Sequence, residues 1–212
     1  MTISNESRST IKKVFEPIAL AMGRAGLTPN GLTLIGFGIT VVGSILVGLQ
    51  FWIVGGLVVF VGGVFDMFDG TLARATGQAN RFGAFMDSTF DKAGEIIVFL
   101  GVIAGIQAAG AADVPILVGV AAMGASIMVS YARAKSDGLG YSSGMGLAAV
   151  GLMPREIRLV LISLGIVLTG TSIGISAIEF ALGVILVGAV ITVIQRILFV
   201  YRQDQLQSTQ TK

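Results

Sequence analysis

The 212-residue sequence contains no cysteine and no histidine. Disulfides and thiolate metal centres are therefore excluded, as are an imidazole base, an imidazole proton shuttle and an imidazole ligand. Charge is scarce too: Asp, Glu, Lys and Arg together make up 12% of the chain, with a formal net charge of +2. A sequence pI near 9.2 invites a nucleic-acid reading, but the basic residues are scattered among apolar runs and form no cationic stripe, so no nucleic-acid partner is expected. Any chemistry must rest on carboxylates, Lys, Arg and bound cations.

What the chain has in abundance is apolar surface: 54% hydrophobic residues and a mean hydropathy of +0.88. This places it in a bilayer rather than among soluble domains. Uncharged runs approach or exceed the roughly 20 residues that cross a bilayer as helix, and no cleavable signal peptide is expected at the N-terminus. The reading is an all-α polytopic membrane protein of one domain over 1–212. It comprises an interfacial helix and link over 1–27, a six-helix core over 28–203 and a polar tail over 204–212. The transmembrane spans are expected near 31–50, 52–74, 82–108, 114–136, 155–171 and 174–200.

Residues 6–22 put Ile11, Val14, Phe15, Ile18 and Met22 on one helical face, the pattern of a surface-lying helix, with Pro17 expected to kink or divide it. The polar residues after Arg202 read as an unstructured end. All fourteen Lys and Arg residues fall at the termini, in the 74–81 and 135–155 connections, or within about two helical turns of that face. By the positive-inside rule, the termini and the polar end of the bundle face the cytoplasm of a plasma-membrane protein. Glycine is frequent, with 30 residues. Gly55-Gly56, Gly62-Gly63, Gly101 and Gly105 are expected to let helices approach closely, and glycine-rich outer faces suit a homodimer.

Four carboxylates interrupt this apolar background. Asp66 and Asp69 are spaced i, i+3, and Asp87 and Asp91 i, i+4, so each pair projects from one face of its helix. If the two helices are antiparallel neighbours joined by the turn at 77–81, the pairs converge. Taken singly, each Asp reads as a cap or a satisfied ion pair. Together, four acids within the membrane demand cations, and an all-oxygen set favours Mg²⁺, Mn²⁺ or Ca²⁺ over zinc. A divalent-cation transporter would use the same acids, but would also need polar groups leading to both faces.

The spacing Asp66-x2-Asp69-Gly70-x2-Ala73-Arg74-x8-Gly83-x3-Asp87-x3-Asp91 resembles, position for position, the signature of the CDP-alcohol phosphotransferase family. The resemblance implies an enzyme of phospholipid biosynthesis with a six-helix core and two Mg²⁺ ions, Mn²⁺ being an alternative. Asp66, Asp69 and Asp87 would hold one ion, and Asp66, Asp87 and Asp91 the other. Asp91 would act as general base on the acceptor hydroxyl. A CDP-linked lipid would bind at Pro29, Asn30, Thr33, Asp69, Gly70, Ala73, Arg74, Asn80 and Gly83. Gly70 and Ala73 lack the bulk that would hinder a nucleotide, and Arg74 can pair with the diphosphate. Thr28 or Asn30 also reads as a helix cap, with Pro29 in the first turn.

Ser130-Tyr-Ala-Arg133-Ala-Lys135 and Pro154-Arg155-Glu156-Ile-Arg158 look like the branch of that family that uses inositol phosphate. The implied reaction moves a phosphatidyl group from CDP-diacylglycerol, or its archaeal ether equivalent, to inositol 1-phosphate with release of CMP. Arg133, Lys135, Arg155, Arg158 and Arg196 would form the phosphate site of this phosphorylated polyol. Lys92 stands where Arg is commoner in that branch, which keeps glycerol 3-phosphate as an alternative acceptor.

Overall fold

The computed structural model describes residues 5–141 and 150–210, and within them it is helical, with no strand. The helices are α1 (Asn5–Arg24), α2 (Pro29–Gly48), α3 (Trp52–Phe65), α4 (Met67–Ala75), α5 (Arg81–Ala108), α6 (Asp113–Gly138), α7 (Arg155–Thr169) and α8 (Ser176–Gln210). Local chemistry sets several of these boundaries. Thr28 caps α2, its Oγ1 accepting from the Gly31 N–H at 3.1 Å, and Pro29 follows where no backbone donor is needed. Asn80 opens α5 in the same way, its Oδ1 accepting from the Gly83 N–H at 2.8 Å.

Four stretches are long and apolar enough to cross a membrane: Pro29–Gly48, Trp52–Ala75, Asp113–Gly138 and Ser176–Leu206. Helix α5 spans 28 residues but carries Asp87, Asp91, Lys92 and Glu95. Helix α7 has 15 residues, ~22 Å of rise, short of the hydrocarbon thickness. Exposed apolar side chains such as Leu117, Phe180 and Val187, 65%, 75% and 61% accessible, give the outer surface the character that lipid requires.

The helical core is built around Val47, Val59, Phe99, Val102, Ile106, Ile162, Ile166, Leu182 and Ile185. Helix α2 packs against α3 and α5, α3 against α7, α7 against α8, and α6 against α8. Glycine permits the α2–α5 approach: a Cβ on Gly105 would stand 2.6 Å from the Val47 carbonyl oxygen, and one on Gly101 would meet the Ser44 backbone. Gly55 and Gly43 serve the α2–α3 seam similarly.

The expected span over 52–74 is found as one apolar stretch, Trp52–Ala75, within which α3 and α4 meet at Asp66. That residue keeps right-handed helical angles (φ −58°, ψ −21°), so the chain direction largely persists. Three other expectations are corrected. Pro17 lies inside a continuous α1 rather than dividing it. On α1 the buried centre is Ala19, fully enclosed beside Leu32, Phe68 and Leu72, whereas Ile18 is 44% exposed. Phe15 and Met22 pack on that cluster as expected, and the side chains of Ile11 and Val14 lie outside the described residues. The polar C-terminal residues continue α8 to Gln210 instead of forming an unstructured end.

Candidate active site

The two carboxylate pairs do converge. Asp66 sits at the α3–α4 junction, Asp69 in the first turn of α4, and Asp87 in the second turn of α5. One oxygen from each of these three residues lies within 4.8 Å of the others. Asp69 is 4% exposed, and its Oδ2 accepts from the Thr33 hydroxyl at 2.5 Å while its Oδ1 faces the Gly70 N–H. Among the described residues no ion pair reaches Asp69 or Asp87. Three clustered carboxylates, two of them without a cationic neighbour in contact, are a donor set that fits a hard divalent ion.

Asp91 stands one turn further along α5 and outside that trio. Arg155, at the start of α7, reaches across the bundle: its Nη2 lies 2.8 Å from Asp66 Oδ2 and 2.8 Å from Asp91 Oδ1. Only the Asp66 contact has hydrogen-bond alignment; the Asp91 contact is an ion pair without it.

Two cavities flank these acids. One is lined by α2, α4, α5 and the turn before α5. Its wall includes Pro29, Asn30, Thr33, Asp69, Gly70, Ala73, Arg74, Asn80 and Gly83, which is every residue expected to bind the CDP-lipid. Asp87, Gln78, Ala79 and Ala84 complete it. A Cβ on Gly83 would stand 3.3 Å from Asn30 Oδ1, and one on Gly70 would stand 3.2 Å from an Arg74 guanidinium nitrogen, so bulk at either position would intrude on polar groups of the wall.

The second cavity lies between α2, α3, α5 and α7. Asp66, Asp91, Glu95, Arg155 and Arg158 mark its polar part, and Val59, Val98, Phe99 and Ile162 its apolar part. Arg158 is 2% exposed; its Nε donates to Glu95 Oε1 at 2.7 Å and its Nη1 to the Met153 carbonyl at 2.8 Å. Glu95 Oε2 accepts from Lys92 at 2.8 Å, so one carboxylate joins bases of α5 and α7. This link was missed in the sequence, although Glu95 extends the Asp87, Asp91 series by another i+4 step.

The remaining expected phosphate ligands are dispersed. Arg196, 4% exposed, donates to the carbonyls of Val129 and Val150, the latter at 3.1 Å. No carboxylate is in ion-pair contact with it among the described residues, and Arg133, Arg158 and Asp137 lie within electrostatic reach. Arg133 is 54% exposed and 3.8 Å from Asp137, and Lys135 is exposed at the end of α6; neither lines the carboxylate cavity.

The arrangement sets one polar-walled pocket and a second pocket walled in part by Arg155 and Arg158 on either side of a divalent-ion donor set. That is suited to phosphoryl transfer between two ligands. The sequence is 33% identical to archaetidylinositol phosphate synthase of Pyrococcus horikoshii over 168 residues, covering 79% of this chain and 84% of the relative. It is 30% identical to phosphatidylinositol phosphate synthase of Streptomyces avermitilis over 208 residues, covering 95% and 84%. The fold is similar to that of the Mycobacterium tuberculosis phosphatidylinositol phosphate synthase, solved with CDP-DAG bound, at a TM-score of 0.79 and 28% identity over 89% of this chain and 94% of that one. The same enzyme has also been solved in complex with manganese and citrate. The profile of CDP-alcohol phosphatidyltransferases spans residues 26–201, the whole of the site just described, and the chain belongs to that family.

Proposed function

We propose that this membrane enzyme transfers a phosphatidyl group from CDP-diacylglycerol, or its ether-lipid equivalent, to inositol 1-phosphate and releases CMP. The carrying observation is that Asp87, in the wall of the pocket lined by Gly70, Ala73, Arg74 and Gly83, has an oxygen within 4.8 Å of one from Asp66, in the wall of a second pocket that also holds Arg155 and Arg158. A diphosphate donor and a phosphorylated acceptor each have a chamber of suitable polarity. The names of the relatives from Pyrococcus and Streptomyces support inositol phosphate as the acceptor.

Asp66, Asp69 and Asp87 hold one divalent cation in this reading, and Asp66, Asp87 and Asp91 a second. The manganese complex of the mycobacterial enzyme supports such a centre. When bound, Mg²⁺ or Mn²⁺ offsets charge on the diphosphate and on the departing CMP phosphate. The chain's own residues do the rest. Asn30, Asn80 and Arg74 orient the nucleotide and diphosphate. Arg155 and Arg158 attract and align the acceptor phosphate in this reading, with Arg133, Lys135 and Arg196 adding positive charge from outside the pocket wall. Asp91 takes the proton of the attacking hydroxyl as its oxygen bonds to the lipid-side phosphorus. The bond from that phosphorus to the CMP oxygen breaks, and the electron pair leaves with CMP.

The wider architecture in this reading adds α5 and α7 to the four apolar helices, for six spans. Helix α1 lies at the interface, and the active end and both termini face the cytoplasm. Burial of α5 among α2 and α6, and of α7 among α3 and α8, supports the count, because a charged or short helix can be carried across by its neighbours. Residues 1–27, 28–203 and 204–212 then form interfacial, core and tail parts of one domain, and glycine-rich outer faces suit a homodimer.

The test is CMP release by purified protein supplied with CDP-diacylglycerol and Mg²⁺, with inositol 1-phosphate, glycerol 3-phosphate or free inositol. Turnover specific to inositol 1-phosphate is expected. Preference for glycerol 3-phosphate would overturn the acceptor assignment, and no release with any acceptor would overturn the donor lipid assignment.

A further inference from the structure

Thr33 and Asp69 are 36 residues apart, on α2 and α4, and both are buried, at 2% and 4% exposure. We infer that Thr33 is a positioning residue for the metal centre, its hydroxyl holding Asp69 in the orientation that directs its free lone pairs towards Asp66 and Asp87. The inference deepens the proposed function and rests on its reading of Asp66, Asp69 and Asp87 as cation ligands.

A threonine hydroxyl has one proton, and two acceptors compete for it: Asp69 Oδ2 at 2.5 Å and the Pro29 carbonyl at 3.3 Å. The shorter, charge-assisted contact takes it. Asp69 therefore receives a defined hydrogen bond on each oxygen, from Thr33 on Oδ2 and from the Gly70 N–H on Oδ1. A carboxylate offers about four lone-pair sites, so roughly two stay open for a cation. The two donors fix χ2 of Asp69, and which lone pairs remain is no longer free to vary. Without such a donor, a carboxylate beside Asp66 and Asp87 is driven by like-charge repulsion to turn away before any ion arrives.

The geometry also changes the part expected of Thr33. It lines the nucleotide pocket together with Pro29 and Asn30. Its only proton, however, is committed to Asp69, so it is not free to donate to a nucleotide. Because α2 supplies Asn30 to the pocket wall and Thr33 to the carboxylate, one helix turn sets the register of the nucleotide pocket relative to the cation ligands. Outer-sphere hydrogen bonds to ligands are typically worth about 10–100-fold in metal affinity.

The experiment is Mn²⁺ binding by purified protein, followed by electron paramagnetic resonance without nucleotide or acceptor. Thr33→Val, close in shape but without the hydroxyl, is expected to weaken Mn²⁺ about 10–100-fold. Thr33→Ser, which restores the donor, should return affinity close to that of the wild type. Should the valine variant fail to fold, Thr33→Ala removes the same hydroxyl and is read the same way. Asp69→Asn serves as the reference for loss of a ligand. Wild-type affinity in Thr33→Val alongside weak binding in Asp69→Asn would overturn the role of Thr33 and leave the metal reading intact. Equal weakening in the valine and serine variants would assign the effect to packing, and overturn it as well. Absence of Mn²⁺ binding in the wild type would overturn the metal reading itself.

Discussion

Arg155 Nη2 and Asp66 Oδ2 meet at 2.8 Å although 89 residues separate them in the chain. The contact ties the first turn of α7 to the junction of α3 and α4, and the same guanidinium extends to Asp91 on α5. One cation thus holds three helices at the site. Arg155→Ala is expected to leave two neighbouring carboxylates uncompensated and to lower thermal stability by several degrees in EDTA. Added Mg²⁺ should recover much of the loss. Thermal unfolding with and without Mg²⁺ checks this, and a loss indifferent to Mg²⁺ would argue that the guanidinium only packs.

The same substitution should raise the KM for the phosphorylated acceptor by about tenfold or more, the scale of one charge-assisted contact, while moving the KM for the CDP-lipid less. Steady-state kinetics with each substrate varied in turn separates the two. A larger effect on the lipid would assign Arg155 to the diphosphate instead.

Asp91→Asn removes the proposed base but none of the trio Asp66, Asp69 and Asp87. Turnover is expected to fall by about 10²–10⁴-fold, the usual worth of a general base. One Mn²⁺ should still bind. Electron paramagnetic resonance together with CMP release reads both, and retained turnover would reassign the base.

Gly83 faces Asn30 and Asn80 across the nucleotide pocket. Gly83→Leu should fill that space and weaken CMP binding by about tenfold or more, through overpacking of about 1–3 kcal/mol. Mn²⁺ affinity should be preserved. Isothermal titration with each ligand distinguishes pocket filling from general misfolding.

Gly105→Val tests the helix seam rather than the chemistry. The added Cβ alone would lie 2.6 Å from the Val47 carbonyl oxygen, so α5 must move off α2, at a cost of about 1–3 kcal/mol. Denaturation in detergent should show the loss. Because α5 carries Asp87 and Asp91, activity should fall with it.

Much of the site could be read along the chain because its residues occur in two short helical runs. Asp66, Asp69, Gly70, Ala73 and Arg74 lie within a few turns of one another, as do Gly83, Asp87 and Asp91. Helical periodicity alone therefore puts each group on a common face. Pro29, Asn30 and Thr33 were legible through the resemblance and the helix-start chemistry. Contacts that cross between helices were not. Nothing at position 33 signals that its hydroxyl turns to Asp69, and nothing at 155 signals that its guanidinium spans Asp66 and Asp91.

By itself, the sequence determined that this is a helical membrane protein, since its apolar runs can satisfy their backbone hydrogen bonds within lipid only as helix. It determined that any metal site in this chain takes oxygen ligands without thiolate or imidazole, because no Cys or His is available. Only the tertiary structure decided which carboxylates cluster, and that Arg155 and Glu95 bind their neighbours across α5 and α7. Those outcomes depend on the rotation and separation of packed helices. In this chain they follow from steric contacts at Gly43, Gly55, Gly101 and Gly105 rather than from any local run of residues.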